Sequence, residues 1–171
     1  MKQAYWGMAM TAAALVLTAS PVWADGLAVT LGGGWDGVKI PSGQQCTLDG
    51  GNGATPPMTL SGLPDGTTKV TVAFNDRDYP PLSSNGGHGV IAFPVTPVSG
   101  SADIPAVPGL SSSLPGGAEV VSAARSSGDY ASPGYLPPCS GGDRHAYWAT
   151  VTAVAADGAA LSSTTVELGR W

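Results

Sequence analysis

The sequence of 171 residues predicts an all-β fold, an antiparallel β-sandwich with few short helices. Three observations carry this reading. Glycine and proline are abundant, at 25 and 15 residues, and they gather in turn-forming clusters with Asn, Asp and Ser. Between the clusters, apolar residues alternate at the period of a strand. Beyond residue 24, almost no window shows the three-and-four spacing of an amphipathic helix.

The first 24 residues, MKQAYWGMAMTAAALVLTASPVWA, hold one lysine, a small and apolar core, and a Val22-Trp23-Ala24 end that suits signal peptidase. They are read as a secretory signal peptide over residues 1–24, removed after Ala24. The apolar run is short for a membrane span and is broken by Pro21, so no stable membrane anchor is expected after processing. No cysteine stands at the cleavage point, which argues against a lipoprotein. Residues 25–171 are then one domain, long enough to bury a core. Losing Lys2 leaves six Lys and Arg against twelve Asp and Glu, a net charge of −6. That balance argues against nucleic acid or an anionic lipid surface as partner. Charged residues make up only 11% of the chain, so Ser, Thr, Gly and Asn build much of the surface, as suits a periplasmic or secreted protein.

The strands follow in order. In KVTVAF, Val70, Val72 and Phe74 share one face; in HGVIAFPV, Ile91, Phe93 and Val95 do. In HAYWATVTAV, His145, Tyr147, Ala149 and Val151 lie on one side, with Trp148, Thr150 and Val154 on the other. From Pro97 to Pro133 the chain is rich in Ser, Gly, Pro and Ala without a strong period, and is read as extended connections over the domain surface. At most one short late helix is expected, in AALSSTTVELGR. Cys46 and Cys139, the only two cysteines, are expected to be joined in an oxidising compartment, closing a loop that the chain-entropy model values at about 4 to 5 kcal/mol.

The stretch FNDRDYPPLSSNGGHGVIAF poses the functional question, because an apolar strand stops at Asp76 and Asp78 and the chain restarts as a strand at His88. His145, the only other histidine, also stands between a Gly-rich loop and an apolar run. Two imidazoles and a carboxylate suit a metal, yet no H-x-H or H-x-x-x-H spacing supports one. A nucleophilic triad lacks a G-x-S-x-G turn. A third reading is an anion pocket of imidazole N–H groups and loop amides, with an acid orienting a histidine. The plain alternative is that these are solvated loop residues.

The order IPSGQQCTLDGGNGATPPMTLSGLPDGTTKVTVAFNDRDYP, then GGHGVIAF, then GDYASPGYLPPCSGGDRHAYWATVTAV resembles the phosphatidylethanolamine-binding protein family in its bacterial exported branch. The resemblance implies a β-sandwich whose small pocket, at one end, binds anions, including phosphate and phospholipid headgroups. It places the family's loop acids on Asp76 and Asp78, its proline on Pro80, its histidines on His88 and His145, and its aromatics on Tyr130 and Tyr147. The paired cysteines of some exported members fall on Cys46 and Cys139. Three positions depart from the pattern: Arg77 replaces a proline, Gly89 a tryptophan and Ala146 an arginine. Gly89 is expected to open the pocket by removing an apolar wall. Arg77 is expected either to help hold an anion or to pair with Asp76 or Asp78.

The expected function is therefore non-catalytic binding of a small anionic or phosphorylated ligand, with no cofactor and no metal. The alternative, from another class, is a protein-interaction module that inhibits or regulates a protease or other protein.

Overall fold

The computed structural model describes residues 26–171, so the signal peptide expected over residues 1–24 lies outside the described residues. Among the described residues, eight strands form two antiparallel sheets. The smaller has the order β1-β2-β5, from Ala28–Leu31, Met58–Ser61 and Ala102–Ile104. The larger has the order β6-β4-β3-β7-β8, from Glu119–Ser122, Val90–Pro94, Thr67–Asp76, Ala146–Ala155 and Ala160–Arg170. The described helical segments are single 3₁₀ turns at Thr47–Asp49, Pro80–Leu82 and Gly128–Tyr130.

The alternation read from the sequence sets the core. Val70, Val72 and Phe74 of β3, Ile91 and Phe93 of β4, and Tyr147, Ala149, Val151 and Ala153 of β7 all face inward. They pack on Met58, Leu60 and Ile104 of the smaller sheet in one continuous cluster. Each inward Val, Leu, Ile or Phe adds about 1.5 to 3 kcal/mol of favourable burial, which the order of the chain opposes through lost entropy. Val95 packs on the edge of the same cluster.

The expected late helix is a strand. Ala160–Arg170 pairs antiparallel with nearly the whole of β7, from Ala146↔Arg170 to Val154↔Ala160. The β-branched run Thr164-Thr165-Val166 favours extended backbone, and a helix there would leave the outer edge of β7 without partners. Its polar composition reflects an edge position rather than a helix surface. Gly158, at φ 89°, makes the tight hairpin turn between β7 and β8. The Pro97–Pro133 segment does run largely over the surface, but it also supplies the short strands β5 and β6.

Sheet register positions the candidate site. Asp76, the last residue of β3, lies opposite Tyr147 near the start of β7. His88 stands just before β4, tied to β3 by its backbone N–H donating to the Phe74 carbonyl at 2.9 Å. Asp76, His88 and His145 therefore come to one end of the larger sheet.

Candidate functional site

At that end lies a cavity of about 450 Å³. Asp76, His88 and His145 line it with Leu82 and Leu136, and Tyr79, Arg125 and Tyr130 stand around its mouth. A second hollow, over the edge of the smaller sheet, is lined mainly by Leu31, Pro57, Met58 and Ile104. It lacks a comparable polar cluster.

Asp76 is only 3% exposed, and both of its oxygens accept hydrogen bonds. Oδ1 takes the backbone N–H of Asp78 at 2.9 Å, and Oδ2 lies 2.7 Å from His145 Nδ1. With Asp76 as a carboxylate, His145 Nδ1 is the donor, which leaves Nε2 as the ring's other polar atom. His88 is 2% exposed. Its Nδ1 lies 2.9 Å from the Leu136 carbonyl, while the Leu136 N–H donates back to the His88 carbonyl at 2.8 Å. This reciprocal pair fixes both the ring plane and the tautomer, since a carbonyl only accepts. Tyr147 meets the His88 ring edge-on, at 5.3 Å between centroids and 84° between planes. Burial lowers the pKa of His88, a direction opposed by the Leu136 carbonyl and Asp76 and reinforced by His145. Burial also pushes the Tyr147 phenol well above its ordinary range.

Asp78, Pro80 and Tyr147 act around the cavity rather than along its lining. Asp78 Oδ2 accepts the Ala146 N–H at 2.7 Å and lies 3.6 Å from an Arg170 nitrogen, so it steadies the residue after His145. Pro80 is exposed and begins the 3₁₀ turn that brings Leu82 to the wall. The Tyr147 hydroxyl accepts the Cys139 N–H at 3.1 Å. Cys46 and Cys139 form a disulfide, which joins the Thr47–Asp49 turn to the loop leading to His145. That loop has further fastenings. Asp49 Oδ2 accepts from Gly141 N at 3.0 Å and from Trp171 Nε1 at 2.7 Å. Ser140 Oγ donates to the Trp171 carbonyl at 2.8 Å. Among the described residues, Cys46, Asp49 and Cys139 bring three potential metal-ligating atoms within 4.8 Å of one another, but there the two sulfurs are bonded to each other.

The expectations for Arg77 and Gly89 do not hold. Arg77 pairs with Glu167 and stacks over Trp148, 4.8 Å from its ring centroid, and so makes its ion pair with neither Asp76 nor Asp78. Gly89 does not leave a missing wall. At φ 109° it packs directly on backbone, and a Cβ there would lie 2.7 Å from the Gly134 carbonyl oxygen and 3.1 Å from Tyr135 Cα.

The cation at the cavity is instead Arg125, which the sequence did not single out because it lies in the unpatterned Ser-Pro-Gly segment. Its guanidinium donates to the carbonyls of Asn85 at 3.0 Å, Pro81 at 3.1 Å and Ser84 at 2.7 Å. Arg125 thus clamps the loop between β3 and β4 and sets positive charge beside the mouth.

The sequence matches the family described as phosphatidylethanolamine-binding protein over residues 34–171. The chain belongs to the phosphatidylethanolamine-binding protein family. A crystal structure of a phosphatidylethanolamine-binding protein homologue from Chlamydia trachomatis shares its fold, with 23% identity over 85% of this chain and 97% of that chain and a TM-score of 0.50. No curated protein matches this chain. Family membership and the antiparallel fold agree with the expectations drawn from the residues, and the two cysteines are joined as expected.

Proposed function

We propose that this member of the phosphatidylethanolamine-binding protein family binds a small oxyanion or phosphorylated ligand and does not catalyse a reaction. The observation that carries the reading is the convergence of both histidines of the chain and Arg125 on one cavity. The Arg125 guanidinium provides a charge-assisted donor for an oxyanion, the imidazoles add hydrogen-bonding nitrogens, and partial burial strengthens such bonds. The geometry around the histidines favours binding over nucleophilic chemistry. His145 Nδ1 is engaged by Asp76, His88 Nδ1 by Leu136, and the sulfur of Cys139 by its disulfide.

We place the protein in the periplasm or outside the cell, a proposal supported by the residues 1–24 pattern and by the disulfide. The protein-interaction reading, inhibition of a protease or other protein, has its own support in the exposed Val98 and Val121 on the long surface segment.

A thermal-shift series with phosphate, phosphoethanolamine, acetate and nucleotides tests the binding reading. Phosphate or phosphoethanolamine should raise the melting temperature in a concentration-dependent way. No shift with any of them would leave the protein-interaction reading in its place.

A further inference from the structure

The floor of the cavity presents a buried acceptor with nothing to accept. His88 Nε2 is buried and has no hydrogen-bond partner among the described residues. Because Nδ1 donates to Leu136, the neutral ring carries its lone pair at Nε2. Asp76 Oδ2, another acceptor, lies 4.0 Å away. No hydrogen lies between them to be shared. Burying an unpaired acceptor costs about 1 to 3 kcal/mol, so the arrangement favours a ligand that supplies a donor.

We propose that this floor takes an oxyanion that carries its own proton: an acidic hydroxyl, as on hydrogen phosphate, a phosphomonoester or a phosphonate, donates to His88 Nε2 beside Asp76. The charged oxygens of the same group then point toward Arg125 at the mouth. This rests on the oxyanion reading above and narrows it to a ligand class. Sulfate at neutral pH and a phosphodiester have no such hydroxyl, so they set a bare oxygen against two acceptors. Their remaining route is protonation of His88, which its burial opposes.

The groups that face His88 bear on that proton from several sides. Asp76 at the end of β3 is the carboxylate, and His145 before β7 is the second imidazole. Tyr147 of β7 presents its ring. Arg125, Tyr79 and Tyr130 stand further out around the cavity. A phosphomonoester loses its second proton near about pH 6, so the charge state of the ligand changes in the range where the site would read it.

The test is titration calorimetry of the whole protein at about pH 6 with inorganic phosphate, methyl phosphate, dimethyl phosphate and sulfate. Phosphate and methyl phosphate should bind at least about tenfold tighter than dimethyl phosphate and sulfate, the scale of one hydrogen bond to a charged group. Methyl phosphate should also weaken by at least about tenfold between pH 6 and 8 as its proton is lost. Sulfate or dimethyl phosphate binding as tightly as phosphate overturns the proton requirement while leaving the oxyanion reading intact. Binding by none of the four overturns the oxyanion reading itself.

His88→Gln, checked for native circular dichroism, offers an amide N–H at the floor and should erase the discrimination. Undiminished discrimination in a folded variant also overturns the proposal, and the wild-type series decides the matter if the variant does not fold. Phosphatidylcholine vesicles with and without phosphatidic acid distinguish the source of the group. Capture by phosphatidic acid that free methyl phosphate reverses assigns a lipid monoester, whereas methyl phosphate binding without capture assigns a soluble one.

Discussion

Asp76 and His145, 69 positions apart, share a hydrogen bond of 2.7 Å where β3 and β7 meet. The same carboxylate caps the backbone N–H of Asp78, so one buried group fixes both the loop after β3 and the ring before β7. Asp76→Ala should leave both donors without their partner and destabilise the protein by about 1 to 3 kcal/mol. Asp76→Asn should retain more of that stability, since its amide oxygen can still accept one of the bonds. Urea denaturation of the two variants against the wild type checks the order.

His88 predicts a pH dependence of stability. Its folded pKa lies below the ordinary value of 6.5, so the unfolded chain binds the proton more readily. Stability from this group is therefore fully present above that ordinary value and declines as pH falls from it toward the folded pKa. The slope should not exceed about 1.4 kcal/mol per pH unit. Denaturation midpoints measured across this range should fall in the wild type and flatten in His88→Gln.

Arg125→Ala should lower affinity for phosphate by at least about tenfold, because it removes the cation at the mouth and three bonds to the Pro81–Asn85 loop. Arg125→Lys should recover only part of it, since one ammonium cannot reproduce the planar fork. Calorimetry with phosphate on both variants gives the comparison. Equal affinity in the alanine variant would show that Arg125 serves the loop alone.

Reduction of Cys46–Cys139 should lower stability by a few kcal/mol, near the chain-entropy value of about 4 to 5 for a separation of 93 residues. Amide exchange should quicken first between Ser140 and His145, where the disulfide and Asp49 hold the loop. Uniform quickening across both sheets would show that the bond serves the whole fold rather than this loop.

Gly89→Ala should destabilise the protein by well over about 1 kcal/mol, because the new methyl must enter the left-handed region against the Gly134–Tyr135 backbone. Its effect on ligand affinity should be indirect, through displacement of His88. Thermal melting beside calorimetry separates the two.

The large-sheet core was legible in the sequence because β3 and β7 each turn a row of buried apolar residues to one face and β4 turns Ile91 and Phe93 the same way, with only the small Ala92 buried behind them, and such one-sidedness writes itself as alternation. β8 was not legible. As an edge strand it buries little until Leu168, so its Ser and Thr residues leave no apolar period to read. The junction residues Asp76, His88 and His145 stood out because charged groups that interrupt strands are rare in a chain with so few charges. Arg125 did not, since its three carbonyl partners are backbone atoms that no residue pattern announces. Arg77 misled for the opposite reason: adjacency to two acids in sequence says nothing about side-chain direction, and its side chain reaches Glu167 and Trp148 instead.

The fastening between Asp49 and Trp171 spans 122 positions, and it braces the same loop that presents His145. A bond of that span can form only after distant parts of the chain have met, and folds rich in such pairings are slow to mature. If the proposed binding holds, ligand capture should be among the last properties a refolding molecule regains, after sheet formation and core burial. An assay of phosphate binding during refolding would lag behind circular dichroism, and it would report whether each molecule had finished.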